Sequence, residues 1–417
     1  MNREDFFVNK MDFDTSLLFT PEGVRDVYGR ECLEYNVICD MIEQEMKLYG
    51  FRNIHTPSYE FFDIFNKERG TVPSNQMFKF FDQHNNTLVL RPDHTPQIAR
   101  CVARYYADED QQLRLCYTGN TFIHRSGYQG KLSETTQIGA EIIGDASSDA
   151  DGEMLTLAIE CLKKSGLKEF KIDVGHAGVF RGLVREAGLG EEEIAKLRTH
   201  IENKNSHAVK DMLVDKPMGD GVREVLIHIP EIFADNDSLN FVKERVTDKE
   251  TLAAIERLET IRDILEGFDM LSYVTLDLGM LSKMDYYTGV IFKAYTYGTG
   301  EAIVSGGRYD NLMSQFGKDA PAVGVVFLLN QLMEALYSEK VAVEVPNEDI
   351  LVLYRSANRS LAIDLAKQLR EDGHPAFLMR KNADTPLDEY KSYGRRRGIS
   401  EIRYIDDTGE ITTIQLD

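Results

Sequence analysis

The chain has 417 residues, enough for two or three domains that each bury a hydrophobic core. Hydrophobic residues make up 42% of the sequence and charged residues 28%, a balance that excludes an intrinsically disordered chain. The 48 basic and 69 acidic residues give a net charge of −21, which makes nucleic acids disfavoured partners.

The cysteines and the hydrophobic runs indicate a soluble protein of the reducing cytoplasm. No apolar run reaches membrane-spanning length, and the charged N-terminus (MNREDFFVNK) does not resemble a signal peptide. The cysteines form no CxxC pair, which argues against a disulfide framework and a zinc site. They are Cys32, Cys39, Cys101, Cys116 and Cys161. We expect neither a cofactor nor a membrane partner.

The first part of the chain alternates helices with short strands. Residues 31–49 are predicted to form an amphipathic helix, and a short strand follows within FRNIHTPSYE. Residues 78–82 and 87–91 are predicted to pair as a hairpin that leads into a second helix, PQIARCVARYYA.

Residues 116–144 (CYTGNTFIHRSGYQGKLSETTQIGAEIIG) are predicted to form a strand, a glycine-bearing loop and a second strand. Alternation in the second strand places Gln137, Gly139 and Glu141 on one face. An amide and a carboxylate beside a residue without a side chain form a notch, in which a small polar ligand could sit over Gly139. The alternative is an antiparallel hairpin whose second face is solvated.

The next part resumes the sheet after a helical segment. Residues 148–165 are predicted to form a helix and residues 170–174 a strand. Residues 189–268 are acidic and rich in amphipathic helices, which indicates an inserted helical subdomain. Strands resume at residues 274–279 and continue through PAVGVVFLLNQLMEAL. Mostly antiparallel strands with interleaved helices predict an α+β fold for residues 1–340.

The C-terminal part is predicted to be a separate small α/β domain of residues 346–417. A βαβαβ pattern and a last short strand (ITTIQL) follow a linker, KVAVEVPNED. The run Arg395, Arg396 and Arg397 ends a predicted helix, where the helix dipole favours cations. Binding of RNA by this run is the alternative.

Two polar residues follow the strand that ends at position 91. Asp93 and Thr95 offer a carboxylate and a hydroxyl that suit an ammonium group. They could equally cap the following helix, since Thr95 precedes Pro96. His94 between them is interpreted as a packed or solvated residue and not as a base.

Two further stretches carry candidate ligand-binding groups. Tyr286 and Tyr287 are predicted to begin a strand, so that only one of the two hydroxyls can address a given pocket. Gly306 and Gly307 permit a close backbone approach to a ligand, and Arg308 could serve an anion. A tight turn explains the glycine pair about as well.

In this order, the pieces resemble the core of a class II histidyl-tRNA synthetase. The resemblance covers residues 20–340 and implies an antiparallel sheet flanked by helices, with a shortened anticodon-binding-like domain after it. The helix and strand up to Pro57 are similar to motif 1, residues 90–95 to the amino-acid loop, and residues 122–141 to motif 2 and the strand after it. Residues 282–287 and 306–310 are similar to the two histidine-specific motifs, and residues 321–332 to motif 3.

The positions that handle phosphate in that family differ in this chain. Arginines that stabilise the charge on the α-phosphoryl group are replaced by Ile123, Gln331 and Ser282. Arg125 and Asn330 stand where the family has glutamates. Loss of one such cation can cost roughly 10³–10⁵ in rate. We therefore expect a chain that does not activate amino acids.

The amino-acid-binding positions are better preserved. A synthetase-like chain without these arginines that retains LRPDHTPQIAR resembles the regulatory subunits of ATP phosphoribosyltransferase. This resemblance implies a short-form catalytic subunit as partner, a homodimer through the core, L-histidine as effector, and a role in the first step of histidine biosynthesis. The alternatives are a divergent active synthetase and an RNA-binding module. The implied histidine-binding-like residues are Asp93, Thr95, Arg125, Gln137, Glu141, Tyr286, Tyr287, Gly306, Gly307 and Arg308.

Overall fold

The computed structural model describes residues 15–65, 72–125, 131–231, 236–281, 287–346 and 349–416. The chain divides into two compact units. The larger unit comprises the described residues of 1–26 and 38–343, and the smaller unit those of 27–37 and 344–417.

A large sheet of eight strands organises the larger unit. Its strands are β1 (Arg52–Asn53), β5 (Leu113–Phe122), β6 (Glu134–Ile143), β7 (Phe170–His176), β8 (Val274–Leu276), β9 (Val290–Thr296), β10 (Val304–Arg308) and β11 (Ala322–Leu328). The spatial order is β1-β5-β6-β11-β10-β9-β7-β8. Only the two outermost pairs of this sheet, β1 with β5 and β7 with β8, are parallel. The predicted α+β class with a mostly antiparallel sheet is confirmed.

A smaller sheet of three antiparallel strands contains the predicted hairpin. It consists of β2 (Tyr59–Phe61), β3 (Lys79–Phe81) and β4 (Thr87–Leu90), with β4 in the centre. Val89 on β4 packs with Phe65 and Met77 in a small hydrophobic cluster on one face.

Some helices of the chain pack on the eight-stranded sheet, and others fill the long segment between β7 and β8. The α-helices are α1 (Gly29–Leu48), α2 (Thr95–Tyr105), α3 (Ser148–Lys164), α4 (Ala177–Glu186), α5 (Glu191–Glu202), α6 (Ser206–Leu213), α7 (Asp220–His228), α8 (Asn236–Lys243), α9 (Lys249–Gly267) and α10 (Leu329–Ser338). The helical segment begins at Ala177, earlier than the expected residue 189. None of the helices in the described ranges is long and apolar enough to cross a membrane.

The smaller unit contains the predicted βαβαβ arrangement and the last strand. Its C-terminal elements are β12 (Ile350–Tyr354), α11 (Arg359–Glu371), β13 (Ala376–Arg380), α12 (Leu387–Arg397), β14 (Glu401–Ile405) and β15 (Ile411–Gln415). The order is β13-β12-β14-β15, with β15 antiparallel to β14. Gly398, in the left-handed conformation, ends α12 after the three arginines.

The alternation predicted for β6 separates the two faces of the large sheet. Ile138, Ala140 and Ile142 are fully buried on the face opposite Gln137 and Glu141. Helix α3 packs against β10 and β11, and its N-cap residue is Ser147, whose hydroxyl accepts the Ala150 N–H. One face of the sheet is thus core, and the other is available to form a site.

Candidate functional site

A cavity of about 380 Å³ lies in the larger unit along the central strands of the eight-stranded sheet. The predicted residues Asp93, Thr95, Arg125, Gln137, Glu141, Tyr287, Gly306 and Gly307 all line it. The other polar side chains of its lining belong to Tyr117, Lys293, Tyr295, Glu301, Ser305 and Tyr309. The volume lies within the roughly 300–1,000 Å³ of small-molecule pockets.

Glu141 is the buried carboxylate of this cavity. Only 2% of the residue is exposed, so the alternative of a solvated hairpin face is wrong at this position. Its carboxylate accepts hydrogen bonds from the Thr95 hydroxyl at 3.1 Å and the Tyr309 hydroxyl at 2.5 Å. Burial raises the pKa of Glu141 to about 8, although these two hydrogen bonds act in the opposite direction. Near neutral pH the cavity therefore holds a largely protonated carboxyl group, which a cation or N–H donor would help to ionise.

The space over Gly139 is occupied by the ring of Tyr117, so the expected ligand position there is wrong. Tyr117 faces Gly139 across the β5–β6 ladder, and a Cβ atom at Gly139 would lie 2.3 Å from the ring. His94 stacks on the other side of Tyr117, with 4.3 Å between ring centroids. Burial lowers the pKa of His94 to about 3, so the ring is neutral near pH 7 and packs against Tyr117. The prediction that His94 is packed is confirmed.

Asp93 and Thr95 meet at the first turn of α2. The Asp93 carboxylate accepts the Thr95 N–H at 3.3 Å, while the Thr95 side chain donates to Glu141. His94 is the N-cap residue of α2 and its side chain makes no capping bond, so neither Asp93 nor Thr95 is the expected N-cap. Both Asp93 and Thr95 line the cavity.

Gln137 and Gly324 complete the wall around Glu141. The Gln137 Oε1 atom is buried and has no hydrogen-bond partner in the described ranges, which indicates room for a donor from a ligand. Gly324 faces Glu141 across the β6–β11 ladder. A Cβ atom at Gly324 would lie 1.8 Å from Glu141 Oε2, so only glycine leaves space for the carboxylate.

The tyrosine and glycine motifs are placed differently from expectation. Tyr287 lies before β9, which begins at Val290, and Tyr286 lies outside the described residues. Gly306 and Gly307 belong to β10 and not to a turn. A Cβ atom at Gly307 would lie 2.7 Å from the Tyr287 ring, so this glycine accommodates a side chain of the protein itself.

Arg308 does not reach the cavity. It follows Gly307 on β10, and adjacent strand residues face opposite ways, so its side chain points towards α3. Arg308 Nε donates to Asp151 at 2.8 Å, and Nη1 donates to Asp310 at 3.1 Å. Asp151 is fully buried and also accepts from Arg257 at 2.6 Å. The expectation that Arg308 serves a ligand anion is therefore wrong at this geometry, because its partners are carboxylates of the chain.

The outer half of the cavity carries the residues that replace the phosphate-handling groups. Ile123 and Arg125 line it together with Glu301. The Glu301 carboxylate accepts from Gln331 Nε2 at 3.3 Å and pairs with Arg125. Asn330 accepts the Thr136 N–H at 3.0 Å through Oδ1. Ser282 lies outside the described residues.

Tyr117, Tyr309 and Glu301 were not predicted as site residues. Tyr309 lies two positions after the glycine pair in GGRYD. A buried carboxylate at Glu141 needs a hydrogen-bond donor, and this need could have identified Tyr309 as a site residue. Tyr117 required the register of β5 against β6, in which an aromatic residue faces a glycine.

Known proteins share this architecture. The histidyl-tRNA synthetase family matches residues 23–332. An ATP phosphoribosyltransferase regulatory subunit of Acetivibrio thermocellus is 37% identical over 391 residues, 94% of this chain and 93% of that protein. The crystal structure of an ATP phosphoribosyltransferase regulatory subunit/histidyl-tRNA synthetase from Bacillus halodurans has a TM-score of 0.83 at 30% identity, covering 94% and 98% of the two chains. A Nostoc histidyl-tRNA synthetase, at 19% identity and a TM-score of 0.78 over 97% of each chain, shares the fold.

The sheet, its flanking helices and the cavity define a histidyl-tRNA synthetase-like protein of the class II fold. Within that class, the sequence identity to the regulatory subunits and the share of each chain that they cover distinguish a regulatory subunit from a synthetase. The chain belongs to the family of ATP phosphoribosyltransferase regulatory subunits. The resemblance found in the sequence is confirmed.

Proposed function

We propose that this chain is the non-catalytic regulatory subunit of an ATP phosphoribosyltransferase, and that its cavity binds L-histidine as a feedback effector. Family membership supports the regulatory role, because relatives at 33–37% identity bear that name. The partner is a short-form catalytic subunit, and the assembly carries out the first step of histidine biosynthesis in the cytoplasm. Five free cysteines agree with a reducing compartment.

The buried carboxyl group of Glu141 is the observation that supports histidine as the ligand. Imidazole offers N–H groups to a carboxylate and to an amide oxygen. Glu141 and the unpartnered Gln137 Oε1 supply both acceptors on one strand. The α-ammonium group of an amino acid matches Asp93 on the neighbouring loop. A cationic or N–H-donating ligand would ionise Glu141 and exchange a neutral carboxyl group for a stronger acceptor.

The outer half of the cavity supports the absence of aminoacylation. Adenylate formation needs cations at the α-phosphoryl group, and Ile123 offers none there. Gln331, at the position of a second arginine, is neutral and is bonded to Glu301. Histidine-dependent exchange between ATP and pyrophosphate is expected to be absent, and robust exchange would refute this part of the proposal.

Co-expression with a short-form catalytic subunit tests the regulatory role. We expect the two chains to co-purify, and phosphoribosyltransferase activity to require both. In calorimetry, histidine should bind the complex and the Glu259→Gln control, whose altered carboxylate lies on α9 and pairs with Lys243. The Glu141→Ala variant should lose this binding. Unchanged inhibition by histidine in that variant would place the sensor on the partner.

We also propose that the core forms a homodimer. Exposed aromatic residues on one face of the three-stranded sheet support an interface: Tyr59 is 55% exposed and Phe61 50%. Sedimentation equilibrium of the isolated chain tests this, and a monomer at micromolar concentration would contradict it.

A further inference from the structure

Glu301 is a carboxylate in the outer half of the cavity, where several hydrogen-bond donors of the chain lie close together. Arg125 Nη1 lies 3.8 Å from Glu301 Oε1, and Lys131 makes a closer ion pair with the same oxygen. Gln331 Nε2 donates to the other oxygen at 3.3 Å. Two cations and an amide of the chain thus converge on one carboxylate, as they would on an anionic ligand.

The polar atoms around Glu301 are not all used. The donor Arg125 Nε and the acceptor Gln331 Oε1 are buried and have no hydrogen-bond partner in the described parts of the chain. Buried polar atoms are normally bonded, so the contacts with Glu301 leave one donor and one acceptor of this cluster unsatisfied. The bond with Lys131 lowers the pKa of Glu301 below its usual range, which keeps the carboxylate ionised.

We propose that Glu301 is a specificity-determining residue that holds Arg125 and Lys131 as an internal counter-ion and excludes phosphate-bearing ligands from the cavity. A free amino acid, which has no phosphate, still enters. The exclusion follows from the described ion pairs alone, whereas the identity of the admitted amino acid rests on the proposed function.

The size of the charges supports this assignment. A phosphate group that approached Arg125 Nη1 would also approach the Glu301 carboxylate, which lies 3.8 Å from the same nitrogen, and the two negative charges would repel each other. Neutralising Glu301 would remove the repulsion and release two cations. The contribution of Glu301 to folding is small, since its side chain is 35% exposed and exposed ion pairs add little to stability.

The test is titration of the full-length chain with ATP and with inorganic pyrophosphate, without divalent cations, followed by calorimetry. The wild-type chain and the Glu259→Gln control should show no saturable binding at millimolar ligand. Glu301→Gln should bind pyrophosphate at least roughly tenfold more tightly, and the gain should fall as salt is raised. The double variant Glu301→Gln/Arg125→Ala should lose the gain. Saturable pyrophosphate binding by the wild-type chain, or no gain in Glu301→Gln, would overturn the proposal.

Two measurements keep the result interpretable. An unchanged melting temperature of Glu301→Gln establishes that the variant is folded, and Glu301→Ala provides a second removal of the same charge. Histidine titrations run in parallel separate the two proposals. If histidine binds but Glu301→Gln shows no gain in pyrophosphate affinity, the proposed role of Glu301 is refuted and the proposed effector is not. A gain in pyrophosphate affinity without histidine binding supports Glu301 and refutes the proposed effector.

Discussion

The hydroxyl of Tyr309 donates a 2.5 Å hydrogen bond to the carboxylate of Glu141, and both residues are at most 3% exposed. The two belong to different segments of the chain, 168 positions apart. The pair sets the chemistry of the inner cavity, because it holds an acid in a place where water cannot stabilise its charge.

The elevated pKa of Glu141 predicts a pH-dependent stability. Its folded-state pKa of about 8 lies above the ordinary 4.5, so between these values the folded chain retains a proton that the unfolded chain has lost. The stabilisation is complete below pH 4.5 and is lost as pH rises towards 8, at ~1.4 kcal/mol per pH unit. Melting temperatures at pH 6 and pH 8 should therefore differ more in the wild-type chain than in Glu141→Gln. Equal differences would mean that Glu141 is ionised throughout.

Substitution of Tyr309 by Phe should destabilise the larger unit by about 1–3 kcal/mol, because a buried acceptor loses its donor. The pKa of Glu141 should also rise further, since this hydrogen bond lowers it. Urea unfolding at pH 7 measures the loss. Tyr295→Phe is the matched control, since Tyr295 lines the same cavity but is 39% exposed. An equal loss in both variants would contradict the special role of Tyr309.

The Gly324→Ala variant should displace the Glu141 carboxylate, because the new methyl group would lie 1.8 Å from Oε2. Overpacking of this kind costs about 1–3 kcal/mol of stability. Histidine affinity, measured by calorimetry, should fall by roughly tenfold or more, equivalent to ~1.4 kcal/mol. Gly300→Ala is the control: Gly300 also lines the cavity, but an added Cβ atom meets nothing within 4 Å. Normal histidine affinity in Gly324→Ala would mean that Glu141 does not hold the ligand.

Removal of the charge of Asp151 should be strongly destabilising but should leave the ligand site intact. Asp151→Asn leaves Arg308 and Arg257 without their carboxylate, and breaking a buried ion pair costs about 3–5 kcal/mol. Asp149→Asn on the exposed side of α3 is the control. Below its melting temperature the Asp151→Asn variant should bind histidine normally, because Arg308 does not line the cavity. A selective loss of histidine affinity would mean that Arg308 contributes to the ligand site.

The sequence predicted the parts of the site that depend on local alternation. Alternation along one strand is enough to place Gln137 and Glu141 on the same face. The position of Asp93, just after a predicted strand and before a predicted helix, also follows from local sequence. Tyr117 and Gly324 could not be placed in this way, because their contacts depend on the register between strands. Arg308 was misplaced for a related reason: its attraction to buried Asp151 joins residues 157 positions apart, which periodicity does not reveal.

Strand β11 carries Gly324 against the Glu141 carboxylate and continues without a loop into α10. The second and third residues of that helix, Asn330 and Gln331, are bonded to Thr136 and to Glu301. The inner and outer halves of the cavity therefore share one continuous backbone. A displacement of β11 away from Glu141 would pass along this backbone to Asn330 and Gln331, so the two halves of the cavity are mechanically connected.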